Sequence, residues 1–264
     1  MSNLFSVQGK RALVTGGTRG IGRAICDLFL AQGAALQVVA RTEAELHARL
    51  ESWRAAGGQA EGIVADISTA EGRWQVIHQV RARWEHVDIF VNCAGTNIRR
   101  RSVDYSIDEY RRVIDTNATA AFELSRHLHP LLQAAAAGTD GAPGRSASVV
   151  FIGSTAGLST VPTGAPYAMS KAALDQLTRY LAVEWAPDGI RVNSVAPWYI
   201  RTPLVEDVLA DEDYYRRVLG RTPLGRIGEP IEVAATVVFL CGAGASFITG
   251  QTIAVDGGFL AKGM

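Results

Sequence analysis

A chain of 264 residues, 48% of them hydrophobic, is long enough to bury one large core, and no Ser-, Pro- or charge-rich linker divides it. Its 26 basic residues balance 26 acidic ones, which excludes the positive electrostatic footprint of a nucleic-acid binder and points to small-molecule chemistry. No basic leader and no apolar run near the roughly 18 residues of a membrane span occur, and Cys26, Cys93 and Cys241 lack metal or disulfide spacing, so a cytoplasmic protein without membrane or metal is expected.

The first apolar run, residues 11–14, is short and unalternating, as in a strand buried on both faces. It leads directly into Thr15, Gly16, Gly17, Thr18, Arg19, Gly20, Ile21 and Gly22, and then into an amphipathic stretch at 21–31. A glycine-rich turn between a buried strand and a helix is suited to cradling phosphate. Gly16 allows the turn, Gly20 lets the backbone approach a pyrophosphate, and Gly22 lets helix and strand pack closely. The second run, 36–39, is followed by Ala40, Arg41 and Thr42. An acid there would accept hydrogen bonds from a free ribose 2′-hydroxyl; Arg41 with Arg19 instead offers two guanidiniums to a 2′-phosphate, unless both are simply exposed.

Further apolar runs at 62–65, 89–91, 149–152 and 192–196 alternate with helical periodicity at 43–56, 71–84, 107–133 and 168–185. This alternation predicts a single α/β domain of Rossmann type, a doubly wound parallel sheet with helices on both faces. Its nucleotide half reaches to about residue 100, and its catalytic and substrate half follows. Residues 134–148, alanines and then Gly, Pro and Ser, read as a fraying helix end and a flexible surface loop without chemistry. Residues 203–221 are polar, with Glu206, Asp207, Asp211, Glu212 and Asp213, and form either a lid, near 199–225, or a solvated helix.

Tyr167 and Lys171 stand one helical turn apart, which brings a phenol and an ammonium onto one face. Alone, the pair is an ordinary surface contact. It is joined by Ser154 upstream, by Asn92, Cys93, Ala94 and Gly95 after strand four, by Asn117 in the next helix, and by residues 197–202 after strand six. With the Gly-x-x-x-Gly-x-Gly spacing of Gly16, Gly20 and Gly22, these residues make the chain resemble the classical short-chain dehydrogenase/reductase family over nearly its whole length. Segments 94–99, 196–200 and 221–226 look most like the tropinone-reductase-like branch.

The resemblance implies Tyr167 as general acid in reduction and base in oxidation, Lys171 as holder of the nicotinamide ribose, and Ser154 as the hydrogen-bond partner of the substrate carbonyl. It implies that Asn117 helps hold a water in a proton relay through Lys171; taken alone, Asn117 is a helix polar residue and Ser154 a strand-end hydroxyl. Cofactor contacts are implied for Gly16, Thr18, Arg19, Gly20, Ile21, Gly22, Arg41, Asn92, Ala94, Gly95, Tyr167, Lys171, Pro197, Ile200 and Thr202. Asp66 and Ile67 would meet the adenine, although Asp66 equally suits an N-cap. A free tyrosine, with pKa about 10, is poorly tuned at neutral pH, so Lys171 and the oxidised nicotinamide are expected to lower it.

Two residues depart from the family pattern, Cys93 for a second asparagine and Trp198 for a glycine. Cys93 would fill space; Trp198 either lines the pocket or packs beneath the lid. An apolar substrate pocket of Ile98, Leu158, Pro162, Trp198, Tyr199 and Leu204 is expected. Arg99, Arg100 and Arg101 either recruit an anion or form a solvated face, while an acidic lid would favour an amine. His47, His78, His86, His127 and His129 fall outside every motif. The expected activity is NADPH-dependent, reversible reduction of a small ketone, with a 3-oxoacyl-thioester reductase, a sugar dehydrogenase or a non-catalytic NADPH-binding sensor as alternatives. A homotetramer, or a homodimer, is implied by the resemblance.

Overall fold

In the computed structural model, which describes residues 4–137 and 146–262, strand β1 (Arg11–Thr15) is followed by α1 (Gly20–Ala31), β2 (Ala35–Ala40), α2 (Glu43–Ala55), β3 (Gln59–Val64), α3 (Ala70–Arg83) and β4 (Ile89–Asn92). The chain continues through α4 (Ile107–Ile114), α5 (Ala120–Ala137), β5 (Ala147–Ile152), α6 (Thr155–Leu158), α7 (Ala165–Glu184) and β6 (Ile190–Pro197). It closes with α8 (Glu206–Leu209), α9 (Glu212–Arg221), α10 (Pro230–Cys241) and β7 (Thr252–Val255). The strands form one parallel sheet in the order β3-β2-β1-β4-β5-β6-β7. From β1 the chain builds outward to β3, then returns to β4 and builds the other way, so the order reverses between β1 and β4, where ligands bind in open α/β sheets.

Both faces of the sheet are covered, which is why its strands read as plain apolar runs. Val14 and Val38 face a core shared with Ile25 and Phe29 of α1, Leu46 of α2, and Val237 and Leu240 of α10. Leu13, Phe90 and Phe151 point the other way, against Val76 of α3, Leu124 and Leu128 of α5, and Leu174 of α7. A third, small cluster joins Tyr199, Val218 and Ile227 with Leu209, Tyr214 and Leu219, so the 199–225 segment has an apolar centre of its own.

All six strands expected from sequence are present, and β3 begins three residues early, at Gln59. The structure adds β7 and α10, which the sequence pattern did not assign. The single helix expected at 107–133 is two helices joined by a π-helical turn, Asp115–Thr119, and α5 continues past Pro130 to Ala137. Of the loop expected at 134–148, residues 138–145 lie outside the described residues.

Candidate active site

A cleft of about 420 Å³ opens across the carboxyl ends of β1, β2, β4, β5 and β6. One wall is the loop from Thr15 to Gly22, with Thr18, Arg19, Gly20 and Ile21 lining the space. The loop lies close to the strand beside it because its glycines lack side chains: a Cβ on Gly16, at φ 71°, would fall 2.8 Å from Ala94 Cα, and one on Gly22 would fall 2.1 Å from Gly16 O. Arg19 is the N-cap of α1 and supplies no side-chain cap, so the first-turn N–H groups face the cleft without one. Such a helix start favours an anion.

A clasp at the sheet's reversal holds this wall in register. The Thr15 hydroxyl donates to Asn92 Oδ1 at 3.0 Å and accepts from the backbone N–H groups of Cys93 and Ala94 at 3.1 and 3.2 Å. Asn92 therefore sits behind the cleft rather than lining it. Thr15, a member of the lining, was not singled out from the sequence; its only signal was a hydroxyl ending the first strand.

Arg41, Thr42, Glu45, Asp66 and Ile67 line the far end. Arg19 and Arg41 are exposed, and neither enters an ion pair among the described residues. Glu45, in the first turn of α2, is an acid at this end that sequence reasoning missed. Asp66 Oδ1 accepts from Ser68 N at 3.0 Å and from Ser68 Oγ at 2.7 Å. Burial works to raise the Asp66 carboxyl, but these bonds and the charge of Arg41 outweigh it and leave it below its ordinary value. Asp66 thereby caps the turn that follows β3, as its residue type suggested, while Thr69, accepting from Gly72 N at 3.0 Å, caps α3 itself.

At the other end α7 starts after Gly164, whose φ is 104°, and brings Tyr167 and Lys171 to the cleft beside Ser154 from the end of β5. Ser154 Oγ accepts from Ala156 N at 3.1 Å and so fixes the turn into α6. Lys171 is 4% exposed, donates to Ile152 O at 2.8 Å and lies 5.6 Å from the centroid of the Tyr167 ring. Burial lowers its pKa to about 8. The expected depression of Tyr167 is reversed in the chain by itself: burial raises the phenol, and the opposing influences are the Ser154 hydroxyl and the Arg99 charge rather than Lys171.

Asn117 occupies the π-helical turn and is 1% exposed, behind the lining. Its Oδ1 accepts from Thr96 N at 2.8 Å, and its Nδ2 donates to Thr96 O and to Ser170 Oγ, both at 2.9 Å. Ser170 in turn donates to Tyr167 O at 2.7 Å. The Asn117 side chain is thus taken up by the Thr96 backbone and the Ser170 hydroxyl. Cys93 lines the cleft with its thiol pushed up to about 12 by burial, too high for a nucleophile.

Pro197, Trp198, Ile200 and Thr202 form the next stretch of wall, and Pro203, Leu204 and Val205 complete it. Trp198 does both things the sequence left open. It borders the cleft, yet its ring stacks on Phe259 at 3.6 Å and 7°, and its Nε1 donates to Thr222 Oγ1 at 3.1 Å. Of the other expected pocket residues, Leu204 lines the cleft, whereas Ile98, Leu158, Pro162 and Tyr199 do not. Leu158 is 42% exposed and Pro162 is exposed too, because both lie on the outer side of the α6–α7 connection. Tyr199 is buried in the small cluster beneath α9. Among the described residues, no three His, Cys, Asp or Glu side chains converge, and no helix is long and apolar enough to cross a membrane.

Three comparisons bear on this arrangement. A family model described as enoyl-(acyl carrier protein) reductase matches residues 16–260. A tropinone reductase homolog of Arabidopsis thaliana is 46% identical over 260 residues, 98% of this chain and 95% of that one. Among solved structures, a gluconate 5-dehydrogenase from Burkholderia cenocepacia in complex with NADP and tartrate superposes with a TM-score of 0.90 at 30% identity, covering 99% of each chain. The RhlG/NADP active-site complex of Pseudomonas aeruginosa gives 0.86 at 33% identity over 98% of this chain and 99% of that one.

Proposed function

The chain belongs to the short-chain dehydrogenase/reductase family, and from that premise we propose that it reduces a small ketone with NADPH and, in reverse, oxidises the corresponding alcohol. The observation that carries this reading is a single cleft with a glycine loop and two exposed arginines at one end and Ser154, Tyr167 and Lys171 at the other.

The residues fit a dinucleotide. The uncapped start of α1 and the side-chain-free surface of Gly16, Gly20 and Gly22 suit a pyrophosphate. Arg19 and Arg41 suit a 2′-phosphate, with Asp66 and Ile67 beside the adenine, Ala94 and Gly95 along the middle, and Pro197, Ile200 and Thr202 at the nicotinamide. When bound, that group supplies the hydride. The two arginines, and the NADP held by solved members of the family, support NADPH over NADH.

In this reading Ser154 holds the ketone oxygen and Tyr167 gives it a proton. The raised pKa keeps that proton on the phenol at neutral pH, as the reductive direction requires. Lys171, fixed by Ile152 O, holds the ribose beside the phenol, and Asn117 steadies both the Thr96 loop and the first turn of α7. A sugar-acid dehydrogenase is the second reading, favoured by the gluconate dehydrogenase with tartrate. The intact set of Asn117, Ser154, Tyr167 and Lys171 speaks against a non-catalytic sensor. Initial-rate oxidation of NADPH, with NADH alongside, over cyclic ketones, amino ketones, 3-oxoacyl thioesters and keto sugars tests the proposal: no turnover across the panel would return the sensor reading.

The same reading includes one continuous domain, a homotetramer or homodimer, and a cytoplasmic location. Exposed Phe122 on α5 and Tyr180 and Val183 on α7 offer apolar faces for a second copy. A monomeric mass by light scattering would reject the oligomer.

A further inference from the structure

The three consecutive arginines have different fates. Arg100 pairs with Glu109 at 2.8 Å on the surface, and Arg101 is exposed. Arg99 is half-buried, and its Nη1 approaches the Tyr214 hydroxyl at 3.5 Å; that hydroxyl meets the hydroxyl of buried Tyr199 at 2.5 Å. No carboxylate pairs with Arg99 among the described residues. Its loop is pinned next to the catalytic helix: Tyr105 donates to Ile98 O, which lies 3.0 Å from where a Cβ on Gly164 would stand, three residues before Tyr167. The Arg99 charge accordingly reaches the Tyr167 phenol.

Among the described residues this half-buried guanidinium is faced by phenols, which hold its charge against burial but give it no ionic partner. Its planar fork matches a carboxylate. The lid's acids do not fill this role. Asp211 caps α9 by accepting from Asp213 N and Tyr214 N, Asp213 pairs with Arg216 at 2.7 Å, and Glu206, Asp207 and Glu212 are exposed. The conflict between a basic loop and an acidic lid therefore resolves toward an anion. One cation among neutral hydroxyls balances a single negative charge, which favours a carboxylate over a phosphate.

We propose that Arg99, standing just beyond the lining of the cleft with Tyr214, is the substrate-recognition residue and that the ketone it admits carries a carboxylate that meets the Arg99 guanidinium. This rests on the ketone-reductase reading. Recognition of an amine by the same pocket is disfavoured by the same charge.

The test compares 3-oxocyclohexanecarboxylate with its neutral isostere, 3-oxocyclohexanecarboxamide, in NADPH-dependent turnover. The wild-type protein is expected to favour the carboxylate in kcat/KM by roughly 10- to 100-fold, the range of a charged hydrogen bond. Arg99→Gln brings the ratio near one, and Arg99→Lys, which keeps the charge but not the fork, leaves an intermediate ratio. Any effect of Arg99 on Tyr167 is common to both ketones and cancels in the ratio. A wild-type ratio near or below one, or a ratio unchanged in Arg99→Gln, overturns the proposal. If neither ketone oxidises NADPH, the reductase reading fails for these compounds and calorimetry decides the recognition claim. Carboxylate binding to the NADP+-loaded protein about tenfold or more weaker in Arg99→Gln upholds it, and equal binding overturns it.

Discussion

Asn117 grips Thr96 by both ends of its peptide environment, accepting from Thr96 N at 2.8 Å and donating to Thr96 O at 2.9 Å. The loop after β4 is thereby tied to the helix pair α4–α5, and through Ser170 to Tyr167 O. Asn117→Ala leaves two backbone groups and a serine hydroxyl without this partner. We expect a loss of about 2–4 kcal/mol in urea unfolding, as for a few buried hydrogen bonds, and a fall in kcat larger than any rise in KM for NADPH. An unchanged kcat in a destabilised variant would reduce Asn117 to a purely structural tie.

Tyr167→Phe removes the proton donor together with the phenol's interaction with the Ser154 hydroxyl, while no hydrogen bond of the phenol ties distant elements together among the described residues. Turnover should fall by about 10²- to 10⁴-fold, the contribution of a positioned acid. NADPH affinity, read by fluorescence titration, should stay within about threefold, because the acid acts on the ketone and not on the cofactor. Full activity in the variant would remove Tyr167 from the chemistry.

Arg41 is exposed at the end of the cleft with no ion pair among the described residues, and Glu45 stands nearby in the lining. Arg41→Glu should lower kcat/KM for NADPH by roughly 10- to 100-fold through loss of a charged hydrogen bond, with NADH less affected. Removing the existing acid by Glu45→Gln should move the NADPH/NADH ratio the opposite way. Parallel changes with both cofactors would place the 2′-phosphate elsewhere.

Lys171 gives a pH signature. Its pKa is about 8 in the folded protein because of burial, against about 10.4 unfolded. Between these values the unfolded chain binds more protons, so stability rises with pH, and the contribution is lost as pH falls through 8. Relative to Lys171→Met, the wild type should gain on the order of 3 kcal/mol between pH 7 and pH 10.5 in denaturant titrations. A stability difference independent of pH would mean that the ammonium is solvated.

The central strands, the glycine loop and the Tyr167–Lys171 pair were legible in the sequence because each rests on local pattern: unbroken apolar runs, a loop between strand and helix, one helical turn. What escaped had no local signature. β7 is a four-residue edge strand with three partly buried positions and one exposed. α10 fills even exposed positions with Ile231 and Ala235, so no polar stripe marks its period. Arg99 was indistinguishable from Arg100 and Arg101, since its partners Tyr199 and Tyr214 lie a hundred residues away in sequence. Leu158 and Tyr199 were placed in the pocket on residue type, but one faces outward and the other packs under α9, choices made by tertiary packing.

The turn at Asp115–Thr119 makes the helical path one residue longer than a regular helix would need. Deleting one residue there would let the helix close regularly with its flanks little moved, but would remove the bulge that sets the direction of the Asn117 side chain. Asn117 would then no longer point at both Thr96 and Ser170, although every residue that makes those bonds would still be present or replaceable. The site is thus guarded by a count as well as by chemistry, and a one-residue gap in this segment would be a more damaging change than most substitutions within it.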